Sequence, residues 1–321
     1  MRQDGHFVGV DVGGTKVSVA TLDGGQLSDP EIRETEQRDS EALVDQLAEA
    51  IERARRPDTV AAGLGIPSAV EWATGTARSG VNVPLEGVPL RDILSERLDM
   101  AVFVDNDANV AALAEACDDS GRLVVDNLVM FTVGTGVGGG LVLDGRPFRG
   151  ATGAAPEMGH VLIGLDLSQG APPPAERFPQ PGSLESLAAG RALDRLAQEA
   201  AAEQPDGVLG RAAASGQVSG REVVGAARDG DEQSIALLKV LGQRLGIGIA
   251  SAINVFDPDQ VVIGGGVATA GELLLAPARE TAWQYVLPGA GTRTEIRLAR
   301  YGVESGVRGA ALLAAKESAR A

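Results

Sequence analysis

The strongest constraint on the fold is a pattern that occurs twice, in Phe7–Gly24 and in Leu128–Gly145. Each copy reads as a strand, a glycine-rich tip, a second strand and an Asp-Gly pair. In the first copy apolar residues alternate with a period of two, which is typical of a half-buried β-hairpin. An ungapped alignment of the copies places Thr132 on Asp11. The repeat indicates two duplicated α/β domains, and chance similarity between two hairpins is the alternative.

The tip of the first hairpin carries groups that suit a phosphate. Gly13 and Gly14 permit backbone angles barred to other residues and let a ligand approach the main chain. Thr15 and Lys16 add a hydroxyl and a cation, and Asp11 adds a carboxylate at the end of the first strand. Such a set favours a phosphate site with a metal ion. The alternative is a tight hairpin that binds no ligand.

Composition narrows the class of protein. The 321 residues are enough for one large or two ordinary domains, and the net charge is −16. That charge argues against a nucleic-acid partner, because phosphate contacts need clusters of Lys and Arg. The single cysteine, Cys117, excludes an intrachain disulfide framework and a cysteine-rich metal site. No apolar run is expected to span a membrane and no signal peptide is visible, so we expect a cytoplasmic enzyme without a membrane partner.

Strands and helices are expected to alternate after the first hairpin. Val60–Ile66 and Ala101–Val104 are apolar runs that predict buried strands, and a helix capped by Ser40 precedes the first of them. Such alternation favours a mostly parallel sheet. We expect a small α/β domain over 1–117, completed by a C-terminal helix within 306–321, and a large α/β domain over 118–305.

The second half of the chain continues the alternation. The sequence predicts a strand at Val161–Ile163, one helix over Leu184–Ala200 and a long helix over Gln233–Phe256. Three glycines inside that long helix would weaken it, by about 1 kcal/mol each relative to alanine, unless they pack tightly against another backbone. Gly264–Gly266 follows a predicted strand and precedes a helix, an arrangement that allows close approach of a nucleotide. It lacks the spacing of the dinucleotide fingerprint.

The segment Asp105–Asn109 lies where a predicted strand becomes a helix. Ligands of parallel sheets bind at the carboxyl ends of strands, and the helix dipole favours a carboxylate such as Asp107 in the first turn. Two interpretations remain open. Either Asp105 or Asp107 is a helix cap, or one of them is a general base for a substrate hydroxyl with Asn106 as a hydrogen-bonding neighbour.

Glu157 and His160 form a second candidate pair. Three residues apart, they could share a helical face and bind the hydroxyl groups of a ligand, although a lone histidine is more often structural. Glu185 begins a predicted helix, where its charge is favourable in any case.

Together these segments resemble the ROK family of sugar kinases, within the actin-like ATPase superfamily. The resemblance rests on Asp11–Lys16, Asp105–Asn109, Gly134–Gly140, Glu157–His160 and Gly264–Gly266. Each motif is weak alone, but the five occur in family order over nearly the whole chain. The stretch Val81–Leu90 and the context of Asp105–Asn109 look most like bacterial glucokinases.

The resemblance implies two duplicated actin-like, or ribonuclease H-like, domains with a cleft between them, and ATP and Mg²⁺ as cofactors. The two hairpins would hold the ATP phosphates, with magnesium near Asp11, and the late glycine run would lie near the adenosine. The implied ATP and phosphate contacts are Asp11, Gly13, Gly14, Thr15, Lys16, Thr135, Gly136, Gly265 and Gly266.

The resemblance also implies the reaction. The family's catalytic base matches Asp107, and its sugar contacts match Asn82, Asn106, Asp107, Glu157, His160 and Glu185. The expected activity is ATP-dependent phosphorylation of the 6-hydroxyl of glucose, and the alternative is another hexose or an N-acetyl hexosamine. A sugar sensor or repressor is disfavoured, because repressors usually carry a DNA-binding extension and only six residues precede Phe7. Dimers and tetramers are usual in the family, so a homodimer or homotetramer is expected.

The chain departs from the family at the zinc loop. Most ROK proteins end this loop in Gly-Cys-Leu-Glu, whereas this chain has Ser183 in place of the cysteine. Pro174 and Phe178 occupy two further cysteine positions. A tetrahedral zinc site needs such ligands, so no structural zinc is expected, and Phe178 is expected to act as an apolar plug in the loop.

Overall fold

The computed structural model describes residues 5–80, 82–216 and 218–320. Fourteen strands lie within these residues: β1 His6–Val12, β2 Lys16–Asp23, β3 Gln26–Leu27, β4 Glu31–Glu34, β5 Thr59–Ile66, β6 Val70–Glu71, β7 Thr76–Ala77, β8 Ala101–Asn106, β9 Leu128–Val133, β10 Val137–Leu143, β11 Arg146–Pro147, β12 Gln260–Gly264, β13 Pro288–Gly291 and β14 Glu295–Leu298.

Ten α-helices are found in the same described residues: α1 Ser40–Ala54, α2 Leu90–Leu98, α3 Asp107–Glu115, α4 Leu184–Ala188, α5 Gly190–Glu203, α6 Val208–Ala214, α7 Gly220–Arg228, α8 Glu232–Phe256, α9 Glu272–Tyr285 and α10 Ser305–Ser318. Short 3₁₀ turns lie at Met158–His160, Gly266–Ala270 and Gly302–Glu304.

The two larger sheets have the same strand order. One runs β3-β2-β1-β5-β8, with β4 also pairing with β2, and the other runs β11-β10-β9-β12-β14. Each contains a hairpin of the repeat, β1–β2 or β9–β10, and each ends in a parallel pair, β5–β8 or β12–β14. The repeat seen in the sequence is therefore also a repeat of topology, with each hairpin in the same place in its sheet.

The chain divides into two compact units. The first comprises Met1–Met130, Gly140–Pro156 and Ala299–Ala321, and the second comprises Phe131–Gly139 and Glu157–Leu298. The domain boundaries expected from the sequence, 1–117 with 306–321 and 118–305, stay a prediction.

The sheet of the first unit buries side chains on both faces. Val8, Val10 and Val12 of β1 belong to one apolar cluster, which includes residues of α1 and α2. Phe7 belongs to the other cluster, with residues of α3 and α10. Since side chains alternate along a strand, Asp11 shares the face of Phe7.

Helix α10 packs directly on the backbone of this second face. A Cβ added to Gly9 of β1 would overlap the carbonyl oxygen of Val307, and one added to Gly63 of β5 would overlap that of Ala310. Glycine in a strand interior often marks such a close approach. The C-terminal helix therefore supplies a layer of the first unit.

In the second unit, α8 and α9 pack closely in the same manner. A Cβ on Gly242 would lie 2.6 Å from the Leu274 carbonyl oxygen, and one on Gly246 would lie 2.5 Å from that of Ala278. This backbone contact confirms the expected compensation for Gly242 and Gly246, whereas a Cβ on Gly248 would meet the side chain of Leu184.

By length and composition alone, α8 could also cross a membrane, and it is the one such helix among the described residues. The expectation that no segment reaches this length is wrong by that criterion. Half of its most apolar window is buried within the fold, and core helices of soluble proteins pass the same test. The apolar length of α8 is therefore weak evidence for a membrane span.

Several local predictions were wrong. The cap of α1 is Asp39, whose side chain accepts a hydrogen bond from the Ala42 amide at 2.8 Å, and not Ser40. The strand expected at Val161–Ile163 is only an isolated bridge between Leu162 and Ser183.

The helix expected over Leu184–Ala200 is two helices, α4 and α5, with the break at Ala189. Ala189 is extended, and the next amide, that of Gly190, donates to the Gly134 carbonyl oxygen at 2.7 Å instead of continuing α4.

Candidate functional site

Asp11 and Asp107 lie close together in the first unit. A Cβ on Gly65 of β5 would lie 3.7 Å from Asp11 Oδ1 and 3.4 Å from Asp107 Cα. A Cβ on Gly306, in the first turn of α10, would overlap the other Asp11 oxygen. Burial, and then the negative charge of Asp107, raise the pKa of Asp11 to about 7. The fold thus places two acidic groups together where β1 ends and α3 begins.

Asn106 is the N-cap of α3. Its Oδ1 accepts hydrogen bonds from the amides of Ala108 at 3.0 Å and Asn109 at 3.2 Å, and its Nδ2 donates to the Ser68 carbonyl oxygen at 3.4 Å. Of the two interpretations left open by the sequence, the one in which Asp105 or Asp107 is the N-cap is therefore not the one observed. Both lie beside an asparagine with the extended backbone that a cap requires.

Asp105 has a different environment from its neighbours. It is 2% exposed, and its Oδ2 accepts a hydrogen bond from Arg149 Nε at 2.7 Å. The guanidinium of Arg149 lies 3.5 Å from the centre of the Trp72 ring. Asp105 is thus part of a buried ion pair. Arg149 and Trp72 were missed, and the only sequence signal was a carboxylate at the end of a buried strand, which needs a cation somewhere in the chain.

The first hairpin tip is held by hydrogen bonds from outside the hairpin. Thr35 Oγ1 donates to the Gly13 carbonyl oxygen at 2.7 Å, and Gln37 Nε2 donates to that of Gly14 at 2.6 Å. Neither glycine has a positive φ, so the expected special backbone angles are not what requires them. A Cβ on Gly14 would lie 3.3 Å from the Asn82 carbonyl oxygen, so this tip packs against Asn82.

Two residues of the first tip, Thr15 and Lys16, have exposed side chains. The contact between Gly14 and Asn82 places Asn82, which is expected to bind sugar, against the tip that is expected to bind phosphate. Val81, part of the glucokinase-like stretch, falls outside the described residues.

The second hairpin tip contacts Glu185. The amide of Val137 donates to Glu185 Oε2 at 2.8 Å, and a Cβ on Gly136 would overlap the same oxygen. Thr135, at the tip, is exposed. The structure therefore joins Glu185, expected to bind sugar, to the backbone of the second hairpin, which is expected to bind phosphate.

Glu157 and His160 lie near each other around a 3₁₀ turn. Glu157 Oε2 is 3.8 Å from His160 Nε2, while Nδ1 of the same ring is buried and has no partner among the described atoms. Phe178 contacts the ring edge-on at a centroid distance of 5.2 Å, but it is 71% exposed. The expected apolar plug is therefore a single ring contact at the surface.

Ser183 takes a structural role in the altered loop. It is buried and caps α4, since its Oγ accepts from the Ser186 amide at 3.2 Å. Among residues 5–80, 82–216 and 218–320, no group of three or more His, Cys, Asp or Glu is placed to hold a metal ion.

A cavity of about 880 Å³ lies within the second unit. Its lining includes the second hairpin tip, the 3₁₀ turn at Gly266 and residues of α5 and α7. Gly265 precedes that turn with φ +88°, and a Cβ there would lie 2.5 Å from the Val133 carbonyl oxygen, so only glycine fits.

Of the charged and polar residues that line this cavity, sequence reasoning predicted Thr135 and missed Arg191, Asp194, Ser219, Arg221, Glu222, Arg228 and Thr269. Most of the missed residues lie in α5 and α7, whose sequences have the polar and apolar alternation of ordinary amphipathic helices and contain no recognisable ligand-binding motif. The glycines at the tip and at the 3₁₀ turn were the only signal of a cavity between them.

A family model described as the ROK family matches residues 7–317. The chain belongs to the ROK family. Its fold is that of the actin-like ATPases, as predicted, with the repeated sheet order described above.

Other ROK proteins match over nearly their whole length. A glucokinase of Halalkalibacterium halodurans is 34% identical over 315 residues, covering 95% of this chain and 94% of the relative. An N-acetyl-D-glucosamine kinase of Escherichia coli is 35% identical over 316 residues, covering 96% and 98%. The crystal structure of a ROK family glucokinase from Streptomyces griseus, in complex with glucose and AMPPNP, superposes with a TM-score of 0.79 at 30% identity, covering 97% of this chain and 100% of that one.

Proposed function

We propose that this chain is an ATP-dependent hexose kinase that phosphorylates the 6-hydroxyl of glucose, with Asp107 as the general base. The observation that carries the proposal is the position of Asp107 in the first turn of α3, beside Asp11. Asn106 supplies the helix cap at this point. Family membership and the two glucokinase relatives support the same reaction.

Asp107 would accept the proton of the sugar hydroxyl as the γ-phosphoryl group is transferred. A positioned base typically contributes about 10²–10⁴-fold to the rate. Most of the remaining catalysis in phosphoryl transfer comes from positioning and from neutralising phosphate charge. The two hairpin tips, with Thr15, Lys16, Thr135 and Gly136, are our candidates for the phosphate contacts.

The cavity of the second unit is our candidate for the adenosine. At about 880 Å³ it lies within the usual range of small-molecule sites, roughly 300–1,000 Å³. Gly266 lines the cavity, and Gly265 directly precedes Gly266 in the chain. The resemblance implies that both glycines lie near the adenosine. Glu157, His160 and Glu185 of the same unit, with Asn82, Asn106 and Asp107 of the first, are our candidates for the sugar contacts.

Magnesium fits the chemistry of the acidic group. Asp11 is a carboxylate whose charged form is disfavoured by burial and by Asp107, and a nearby cation would reverse that effect. Mg²⁺ prefers oxygen ligands and is commonly held by one or two carboxylates with substrate phosphates. When bound, it would neutralise phosphate charge, and Asp11 would be its protein ligand.

A second candidate substrate is an N-acetyl hexosamine. It is favoured by the Escherichia coli relative, which is as similar to this chain as the glucokinase is. The candidate sugar contacts are the same for both substrates.

A panel of sugars and donors tests the proposal. We expect a coupled assay of the purified protein to give the highest kcat/KM with glucose and ATP, and N-acetylglucosamine as the best substrate would support the second candidate. Asp107→Asn should lower kcat by about 10²-fold or more while equilibrium binding of sugar is retained, and the exposed Asp29→Asn serves as the matched control. Sugar binding with no nucleotide binding and no turnover would instead indicate a sensor.

We also propose that the enzyme is soluble and cytoplasmic, and that it acts as a homodimer or homotetramer with functional domains 1–117 plus 306–321 and 118–305. Sedimentation of the purified protein measures the assembly directly.

A further inference from the structure

The carboxylate of Asp105 holds the residues on both sides of Asp107. Its Oδ1 accepts a hydrogen bond from the Asn106 amide at 2.8 Å and another from Asn109 Nδ2 at 3.1 Å. Asn109 belongs to α3 and is 1% exposed. One oxygen of Asp105 therefore fastens the end of β8 to the first turn of α3, and Asp107 lies between the two attachment points.

Arg149 fixes the other oxygen of the same carboxylate. Its Nε donates to Asp105 Oδ2 at 2.7 Å, and its side chain is 15% exposed. A hydrogen bond between a guanidinium and a carboxylate is stronger than a neutral one. This is the single hydrogen bond between the two side chains in the described part of the chain, and Nη2 of the same guanidinium is buried with no hydrogen-bond partner among the described atoms. Arg149 follows β11 and thus reaches the β8–α3 junction from a distant part of the chain.

Trp72 restricts the position of the Arg149 side chain. The guanidinium lies over the indole ring, 3.5 Å from its centre, within the range of a cation–π interaction. The Trp72 carbonyl oxygen accepts a hydrogen bond from Arg91 Nη1 at 3.1 Å, which ties this segment to α2. The guanidinium is therefore fixed both by its ion pair in the sheet and by the aromatic ring it lies over.

We infer that Arg149 is a positioning residue for Asp107, acting through Asp105. The inference rests on the proposed function of Asp107 as the base. Arg149 itself does not touch the reacting groups in this role. It sets where the carboxylate of Asp107 is held relative to a sugar hydroxyl, and small displacements of a base are costly, about 10²-fold for roughly 1 Å.

The test compares Arg149→Lys in two backgrounds. Lysine keeps the charge but loses the planar fork and most of the ring contact. In the otherwise native enzyme we expect kcat to fall about tenfold or more, with the KM for sugar and for ATP within about twofold of the native values. In the Asp107→Asn background, where no base remains to be positioned, the same change should alter the residual kcat by less than about twofold.

Arg300→Lys is the matched control. Arg300 lies 3.7 Å from Glu115, a fully buried carboxylate at the opposite end of α3. This variant perturbs an ion pair of the same helix, with a longer contact and a more exposed arginine than the pair of Arg149, and leaves the β8–α3 junction intact. We expect its kcat to be unchanged even if its melting temperature falls as much as that of Arg149→Lys.

A second variant covers the case in which Arg149→Lys does not fold. Asp105→Asn with Arg149→Gln replaces the ion pair by two neutral amides that can still hydrogen-bond, so no charge is left buried alone. We expect this double variant to fold and to show the same selective loss of kcat.

An unchanged kcat in a folded variant, an equal loss in both backgrounds, or an equal loss in the Arg300→Lys control would each overturn the inference. Absence of turnover by the native enzyme with every sugar would overturn the proposed function, and the inference with it.

Discussion

Asp11 and Asp107 lie on either side of Gly65, which has no side chain to separate them. Asp11 is in β1 of the first hairpin, and Asp107 is in the first turn of α3, directly after β8. In the sheet, β5 lies between β1 and β8. Burial together with the neighbouring negative charge raises the pKa of Asp11 to about 7.

The raised pKa predicts a pH-dependent stability. Between about pH 4 and pH 7 the folded protein retains the Asp11 proton that the unfolded chain has released, since the ordinary pKa is 3.8. The free energy of unfolding should therefore fall as pH rises through this window. Asp11→Asn removes this contribution, so the variant should gain stability relative to the native protein between pH 5 and pH 8. Urea unfolding at both pH values measures the difference, and Asp29→Asn should show no such gain.

Gly306→Ala tests the close contact between α10 and Asp11. The added methyl group would overlap the carboxylate, so either α10 or Asp11 must move. Overpacking of this kind typically costs about 1–3 kcal/mol, and we expect a comparable loss of stability together with a lower kcat. Ser318→Ala at the far end of the same helix is the control. A Gly306→Ala protein with native stability and kcat would show that the contact is easily relieved.

Glu185 has two candidate roles, which are support of the second hairpin through the Val137 amide and contact with the sugar. If Glu185 mainly supports the second hairpin, Glu185→Gln should retain the hydrogen bond from the Val137 amide and leave the KM for ATP nearly unchanged. Glu185→Ala loses that hydrogen bond and should raise the KM for ATP. Loss of a hydrogen bond to a charged group costs about 1.5–3 kcal/mol, or roughly 10-fold to 100-fold in affinity. A rise in the KM for sugar in both variants would instead favour the expected sugar contact. Steady-state kinetics with each substrate varied in turn separates the two.

The altered loop predicts stability without zinc. Ser183→Ala removes the cap of α4 and should cost about 1 kcal/mol, while Phe178→Ala should change stability by less than about 0.5 kcal/mol, because the ring is mostly exposed. Thermal unfolding with and without a chelator gives both comparisons, and elemental analysis of the same sample reports any zinc. Stoichiometric zinc, or a chelator-dependent melting temperature, would contradict this account.

The sequence predicted what depends on local pattern. The hairpins, the strand before Asp107 and the glycine run at 264–266 follow from alternation and from turn residues, and each lies within two or three residues of its expected position. The two copies of the hairpin predicted a duplicated α/β fold, and the order of the family motifs along the chain predicted that this fold is actin-like.

The sequence failed where a choice depended on distant residues. Three neighbouring residues, Asp105, Asn106 and Asp107, could each cap a helix, and the backbone angle that selected Asn106 is not visible in the sequence. Asp105 forms an ion pair with Arg149, which comes from a different part of the chain. Likewise, the break at Ala189 depends on a hydrogen bond between Gly190 and Gly134.

The packing of α10 on Gly9 and Gly63 also has a consequence for synthesis on the ribosome. On the face of the sheet that carries Gly9 and Gly63, α10 completes a layer that α3 only begins, and it does so only when residues 305–318 have been translated. Domains usually fold in the order in which they emerge, from the N-terminus. Here the first hairpin and α3 are made early, but the sheet face that α3 shares with α10 stays incompletely covered until the roughly 190 residues between these two helices have been added.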